Sequence, residues 1–250
     1  MLEEAGVRIS AVSYDTRETL ETVARKYGIN FPLLSDRDSA VIRRFGIFNA
    51  NIAPDLRAYG VPHPVEYLVS PDGIVVRKYF VPNYQHRVTA SAVALREFGA
   101  IGEGLQIATL RSGAVTIEIG LASATAFAGQ EIGFFANFTI EPGWHIYGEP
   151  LPNPYTPTSI VFDDPKIVQQ SFQLPANALT TLTVLGETLA VYSGSFRGNG
   201  LLLLKFPLDA GEIKLSGKAL FQQCSETVCE PPETIPFELP VTLGTSVVAH

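Results

Sequence analysis

The chain uses cysteine twice in 250 residues, at Cys224 and Cys229, with four residues between them. A thiol pair that close can cycle between dithiol and disulfide, provided one sulfur is accessible and partly ionised. Joining the two closes a very small ring. On the chain-entropy account such a ring stabilises by only about 2 kcal/mol, against roughly 4–5 for a loop of a hundred residues. A staple placed for stability would link distant strands, so the local pair suits a bond that is made and broken. Two other readings stay open, a purely structural disulfide and two unpaired structural thiols. A zinc site needs two more ligands, and His63, His86, His145 and His250 show no paired ligand spacing. Glu226 and Glu230 lie close by, and their negative charge should disfavour a thiolate.

If the two strands around the cysteines form a hairpin, the loop between them brings the pair within disulfide range. Cys224 ends a strand-like run, and Cys229 leads into Pro231 and Pro232 before the next run at 235–243. From about residue 105 onward the signal is alternation: Val115, Ile117, Ile119, and then Ile132, Phe134, Ala136, Phe138, Ile140. Runs at 201–206 and 213–222 follow, with a proline-dense loop at 150–157 and almost no helical periodicity. This pattern predicts an antiparallel β-sandwich over 105–250.

Residues 1–104 read differently. A β-rich run at 7–14 precedes Asp15, placed to cap a helix with Leu20, Val23, Ala24 and Tyr27 on one face and a stop at Gly28. A second strand–helix unit puts Val41, Ile42 and Phe45 inward and ends at Gly46. A hairpin turning at Ser70, Pro71, Asp72 and Gly73 comes next, then a helix over about 87–97 carrying Val88, Ala92 and Leu95. The order β-α-β-α-β-β-α predicts an α/β domain.

The net charge of −7 provides no basic stripe for nucleic acid. No apolar run approaches the roughly 18 residues of a membrane helix. The start, Met1-Leu2-Glu3-Glu4, is acidic where an export signal is basic. Asp36 and Asp38 fit a turn and a helix cap, and Asp163-Asp164-Pro165 fits a turn. No phosphate loop and no Ser/His/Asp arrangement stands out, and no cofactor is expected.

The stretch Phe221-Gln222-Gln223-Cys224, through Cys229, to Pro231-Pro232-Glu233-Thr234 resembles the N-terminal domain of the DsbD transmembrane thiol reductases. Gly143-Trp144-His145-Ile146-Tyr147 and Tyr192-Ser193-Gly194 resemble it too, so the likeness spans roughly 111–245. It implies an immunoglobulin-like fold, a periplasmic setting, and a cysteine pair reduced by a membrane thiol reductase and oxidised by thioredoxin-like partners. An aromatic cap shields the pair in that family, and Tyr192 is the nearest match, with Phe221 and Pro64 as further contact candidates. Trp144 and Tyr147 are expected to pack in the core or a turn.

Residues 7–15, 27–36 and Gly60-Val61-Pro62-His63-Pro64 resemble the later part of an AhpC/TSA peroxiredoxin-like thioredoxin fold. Pro64 falls where that fold has a cis-proline. The reactive cysteine of that family lies on its first strand–helix unit, and no cysteine precedes Cys224 here. Peroxidase activity is therefore not expected, and the first domain is read as truncated at its N-terminus. Three readings follow: a redoxin-type thiol–disulfide oxidoreductase working through Cys224 and Cys229, a non-catalytic protein-binding scaffold, or a fragment of a thiol peroxidase whose cysteine lies upstream of Met1.

Overall fold

The computed structural model describes residues 2–56, 58–80, 86–182 and 186–245. The chain divides into two compact units, Leu2–Val88 and Thr89–His250.

The Leu2–Val88 unit contains β1 (Ala11–Ser13), α1 (Arg17–Tyr27), β2 (Leu33–Ser35), α2 (Ala40–Arg44), β3 (Val65–Val69), β4 (Val75–Phe80) and β5 (Arg87–Val88). Parallel β1 and β2 flank α1, the α/β arrangement that the helix and strand periodicities predict. The α1 cap is Thr16, whose Oγ1 accepts from the Thr19 amide at 3.2 Å, and not Asp15, whose carboxylate accepts instead from Ser13 Oγ. Gly28 closes α1 in the left-handed conformation at φ 63°, which a side chain would penalise. The second helix is shorter than its periodicity suggests. It buries Ile42 but leaves Val41 and Phe45 exposed, because five residues turn only one apolar side chain inward. Asp36 holds its start by accepting from the Val41 and Ile42 amides at 3.1 and 2.8 Å.

Helix α3 (Ala90–Phe98), capped by Thr89 at 3.0 Å, belongs to the second unit. Its face at Ala92 and Leu95 is buried, and Leu95 forms a small core with Ala122 and Phe135. The compact units thus divide at Val88/Thr89, on the N-terminal side of the change in composition near residue 105, because this helix covers the outside of the sandwich.

The sandwich strands are β6 (Ile107–Ser112), β7 (Val115–Leu121), β8 (Thr125–Ala126), β9 (Gln130–Ile140), β10 (Trp144–Tyr147), β11 (Ser159–Phe162), β12 (Ile167–Gln173), β13 (Ala178–Leu182), β14 (Glu187–Tyr192), β15 (Ser195–Leu204), β16 (Gly211–Phe221), β17 (Gln223–Ser225) and β18 (Glu233–Leu243). One sheet runs β12-β15-β9-β7-β6 and a second runs β11-β16-β18-β8. Their inward residues, among them Ile117, Phe134, Phe138, Leu202, Leu215 and Leu239, form the main core. Each such side chain contributes about 1.5–3 kcal/mol by leaving water. The third sheet, β13-β14-β10-β17, carries the cysteines. Among the described residues no helix is long and apolar enough to cross a membrane.

Candidate functional site

Cys224 lies in β17 and pairs with Cys229 across a tight reversal, and a disulfide joins them with their Cα atoms 4.1 Å apart. The reversal is organised by Ser225. Its amide donates to the Val228 carbonyl at 2.7 Å, and its hydroxyl accepts from the Thr227 and Val228 amides. Two glutamines anchor the strand. Gln222 accepts from the Thr156 amide and donates to the Glu230 carbonyl. Gln223 points the other way, accepting from the buried Ala114 amide at 2.9 Å and donating to Glu233 at 2.7 Å. The tight turn at Gly113, φ +51°, leaves room for that amide group. A Cβ on Gly113 would sit 2.5 Å from Gln223 Nε2.

The two sulfurs have unequal surroundings. Cys224 is fully buried beside Tyr147, Leu189 and Val191, whereas Cys229 is exposed. Strand β10 supplies the polar side of the site. His145 stands directly opposite Cys224 in the β10–β17 register. Tyr147, two residues on, shares that face by strand alternation. Its hydroxyl lies 3.1 Å from Cys224 Sγ and 3.6 Å from Cys229 Sγ. Burial, with Tyr155 and Glu187 nearby, pushes the Tyr147 phenol up to about 12, so it stays protonated at neutral pH and can donate to sulfur. Burial likewise lowers the pKa of His145, favouring the neutral imidazole, and its Nε2 is buried with no hydrogen-bond partner among the described residues. A pocket of about 320 Å³ opens beside the pair, with His145, Thr181, Leu182, Val191, Glu226 and Cys229 in its lining. Among the described residues no group of three or more His, Cys, Asp or Glu side chains is placed to hold a metal ion. His250 lies outside the described residues.

Two aromatic residues expected at the site lie in the main core instead. Tyr192 faces the main core, stacks on Phe196 at 4.5 Å and donates to the Pro175 carbonyl at 2.7 Å. It is the preceding residue, Val191, that alternation turns toward Cys224. Phe221 is fully buried in the main core. Pro64 belongs to the Leu2–Val88 unit and follows a trans peptide, since the cis peptides of the described residues precede Pro150, Pro154 and Pro207. Tyr147, expected only to pack, is buried and also reaches both sulfurs. The signal for it was present in the sequence: in Trp144-His145-Ile146-Tyr147, alternation sends His145 and Tyr147 to one face and Ile146 to the core.

Residues 120–240 match the family model described as the N-terminal part of the thiol:disulfide interchange protein DsbD, and residues 1–78 match that of the AhpC/TSA family. The chain is 35% identical over 72 residues to Peroxiredoxin Bcp of Escherichia coli (strain K12), covering 29% of this chain and 46% of that protein. To Peroxiredoxin Bcp of Xanthomonas campestris pv. campestris it is 32% identical over 95 residues, 37% of this chain and 59% of the other. The chain thus spans about half the length of the curated relatives it matches. Among solved structures, it is similar to the N-terminal periplasmic domain of ScsB from Proteus mirabilis, at 13% identity and a TM-score of 0.41, covering 54% of this chain and 49% of that one. It is also similar to the reduced DsbD N-terminal domain of Neisseria meningitidis, at 18% identity and a TM-score of 0.28, covering 44% and 78%.

Proposed function

We propose that the chain performs thiol–disulfide exchange through Cys224 and Cys229, as a relay between a reducing partner and a disulfide-bearing one. The observation that carries this reading is the asymmetry of the pair, one cysteine exposed at a pocket and the other buried against a phenol. An incoming thiolate needs a clear approach to the sulfur that it attacks, and Cys229 offers one. Attack there forms a mixed disulfide and breaks the Cys224–Cys229 bond, with Cys224 leaving as a thiolate. Tyr147 donates a hydrogen bond to that leaving sulfur, an interaction that strengthens as negative charge develops. The donor's second thiol then resolves the mixed disulfide, so the donor is oxidised and the pair reduced by two electrons.

Passing electrons onward reverses these steps. Cys229 attacks the acceptor disulfide, and Cys224 closes on Cys229 to release the acceptor as a dithiol. The partners we infer are thioredoxin-fold proteins, whose paired thiols carry two electrons and expose one reactive sulfur. Residues 1–88 contain no cysteine, so no thiolate there can reduce peroxide, and we read that unit as a redoxin-like companion.

The test mixes the reduced chain with an oxidised thioredoxin-fold protein and quenches with a thiol-alkylating reagent. Exchange predicts transfer of the disulfide to Cys224–Cys229, and a trapped mixed disulfide through Cys229 when Cys224 is replaced by serine. An acceptor that stays oxidised while the chain stays reduced, with no mixed species across several such acceptors, would overturn the reading.

A further inference from the structure

We propose that His145 is the proton acceptor for Cys224 in the step that closes the disulfide, an assignment that rests on the exchange reading above. The closing step has a chemical difficulty that the structure makes plain. Cys224 has no exposed surface, so once reduced its thiol cannot hand a proton directly to bulk water, yet it must become a thiolate to attack Cys229. A buried acceptor beside it is needed.

His145 is placed for that role by the sheet itself. It is the direct register partner of Cys224 across β10 and β17, and directly opposed residues project to the same face with Cβ atoms about 4.5–5.5 Å apart. Its Nε2 is buried and has no partner among the described residues, an orphaned polar atom of the kind that calls for a functional account. His145 also lines the pocket at which Cys229 is exposed. The groups that face it are Cys224 from β17, Tyr147 on its own strand at 5.6 Å between ring centroids, and Glu226 and Cys229 from the loop. From β13 come Thr180, Thr181 and Leu182, from β14 Val191, and just past β14 Ser193, all neutral, while Glu187 of β14 acts on Tyr147. Burial keeps the imidazole neutral and ready to accept, while Tyr147, held protonated, serves as the donor. The two side chains flanking Cys224 therefore divide the work.

The step balances as follows. The Cys224 thiol gives its proton to His145, and the resulting thiolate attacks Cys229 Sγ in the mixed disulfide. The Cys224–Cys229 bond forms, the bond to the partner breaks, and the partner sulfur leaves as a thiolate that takes the proton from the imidazolium or from water.

The test uses the full chain, reduced, with dithiobis(nitrobenzoate) as the probe disulfide. It releases one nitrothiobenzoate when the first cysteine attacks and a second when the other closes the ring. In His145→Gln the second release is expected to slow at least about tenfold near neutral pH, with the deficit fading as pH nears the ordinary thiol range of about 8.5, while the first release is unchanged. A merely structural role would slow both releases without moving the pH profile. A second release with wild-type rate and pH profile overturns the proposal. Should the variant fail to fold, NMR titration of the wild-type imidazole decides. A coupled pair requires the His145 titration to differ between the dithiol and disulfide forms, and identical titrations overturn it. A wild-type chain that releases no nitrothiobenzoate would sink the exchange reading, and the NMR comparison would still judge His145.

Discussion

The Tyr147 hydroxyl lies 3.1 Å from Cys224 Sγ and 3.6 Å from Cys229 Sγ, so a single phenol reaches both ends of the bond proposed to be made and broken. A hydrogen bond to a thiolate is stronger than one to a neutral disulfide sulfur. Replacing Tyr147 with phenylalanine should therefore cost the Cys224 thiolate, and the transition state that leads to it, more than the disulfide. The expected result is slower reduction by dithiothreitol, by roughly 5–10-fold, and, at a pH where the Cys224 thiol is ionised, a reduction potential lower by about 20–35 mV, corresponding to about 1–1.5 kcal/mol for one hydrogen bond. Quench-flow alkylation and equilibrium redox titration read the two quantities.

The same residue sets an alkaline limit. Its ionisation is displaced from 10.0 up to about 12, chiefly by burial, so folding favours the neutral phenol. The stabilisation is fully present below pH 10 and is lost as pH rises through about 12. Thermal unfolding followed between pH 9 and 12 should show a steeper fall for wild type than for Tyr147→Phe.

His145 sets the acid limit by the opposite sign. Burial lowers its pKa below 6.5, so the folded state resists the imidazolium. Its contribution is complete above pH 6.5 and is lost as pH falls through the depressed folded value. His145→Gln should flatten the acid side of the stability profile, a change that denaturant titration at pH 4–7 would detect.

Gln223 supports the site from the opposite face of β17. Truncation to alanine removes the acceptor for the buried Ala114 amide and a donor to Glu233, and about 1–3 kcal/mol of stability should go with them. Gly113→Ala should act in the same direction, since its Cβ would press on the Gln223 amide and its φ of +51° suits glycine. The measurement is chemical denaturation of the oxidised chain, with a negligible change in midpoint as the contrary result.

The sequence and the structure agree where a pattern is long and differ where it is short. Unbroken alternation through Ile132, Phe134, Ala136, Phe138 and Ile140 specifies a strand buried along one face, and β9 follows it. The short α2 offers barely one turn of signal, so the inward side could be read for Ile42 but not for Val41 or Phe45. At the site, the cysteine spacing announced a pair, but an aromatic near a cysteine in sequence does not say which face it takes. Tyr192 points into the core because Val191 occupies the sulfur side of β14, and Phe221 does likewise ahead of Gln222. Tyr147 and His145 lie about eighty residues from the cysteines, and only the β10–β17 pairing brings them there. Long-range register of that kind has no local signature.

A redox titration of the purified chain decides whether Cys224–Cys229 is an exchanging bond or a staple. The chain would be equilibrated in graded dithiothreitol buffers, trapped with an alkylating reagent and read by intact mass. An exchanging bond interconverts reversibly between dithiol and disulfide at a potential above about −300 mV. A disulfide that resists reduction well below that value, or two thiols that never pair, would contradict exchange.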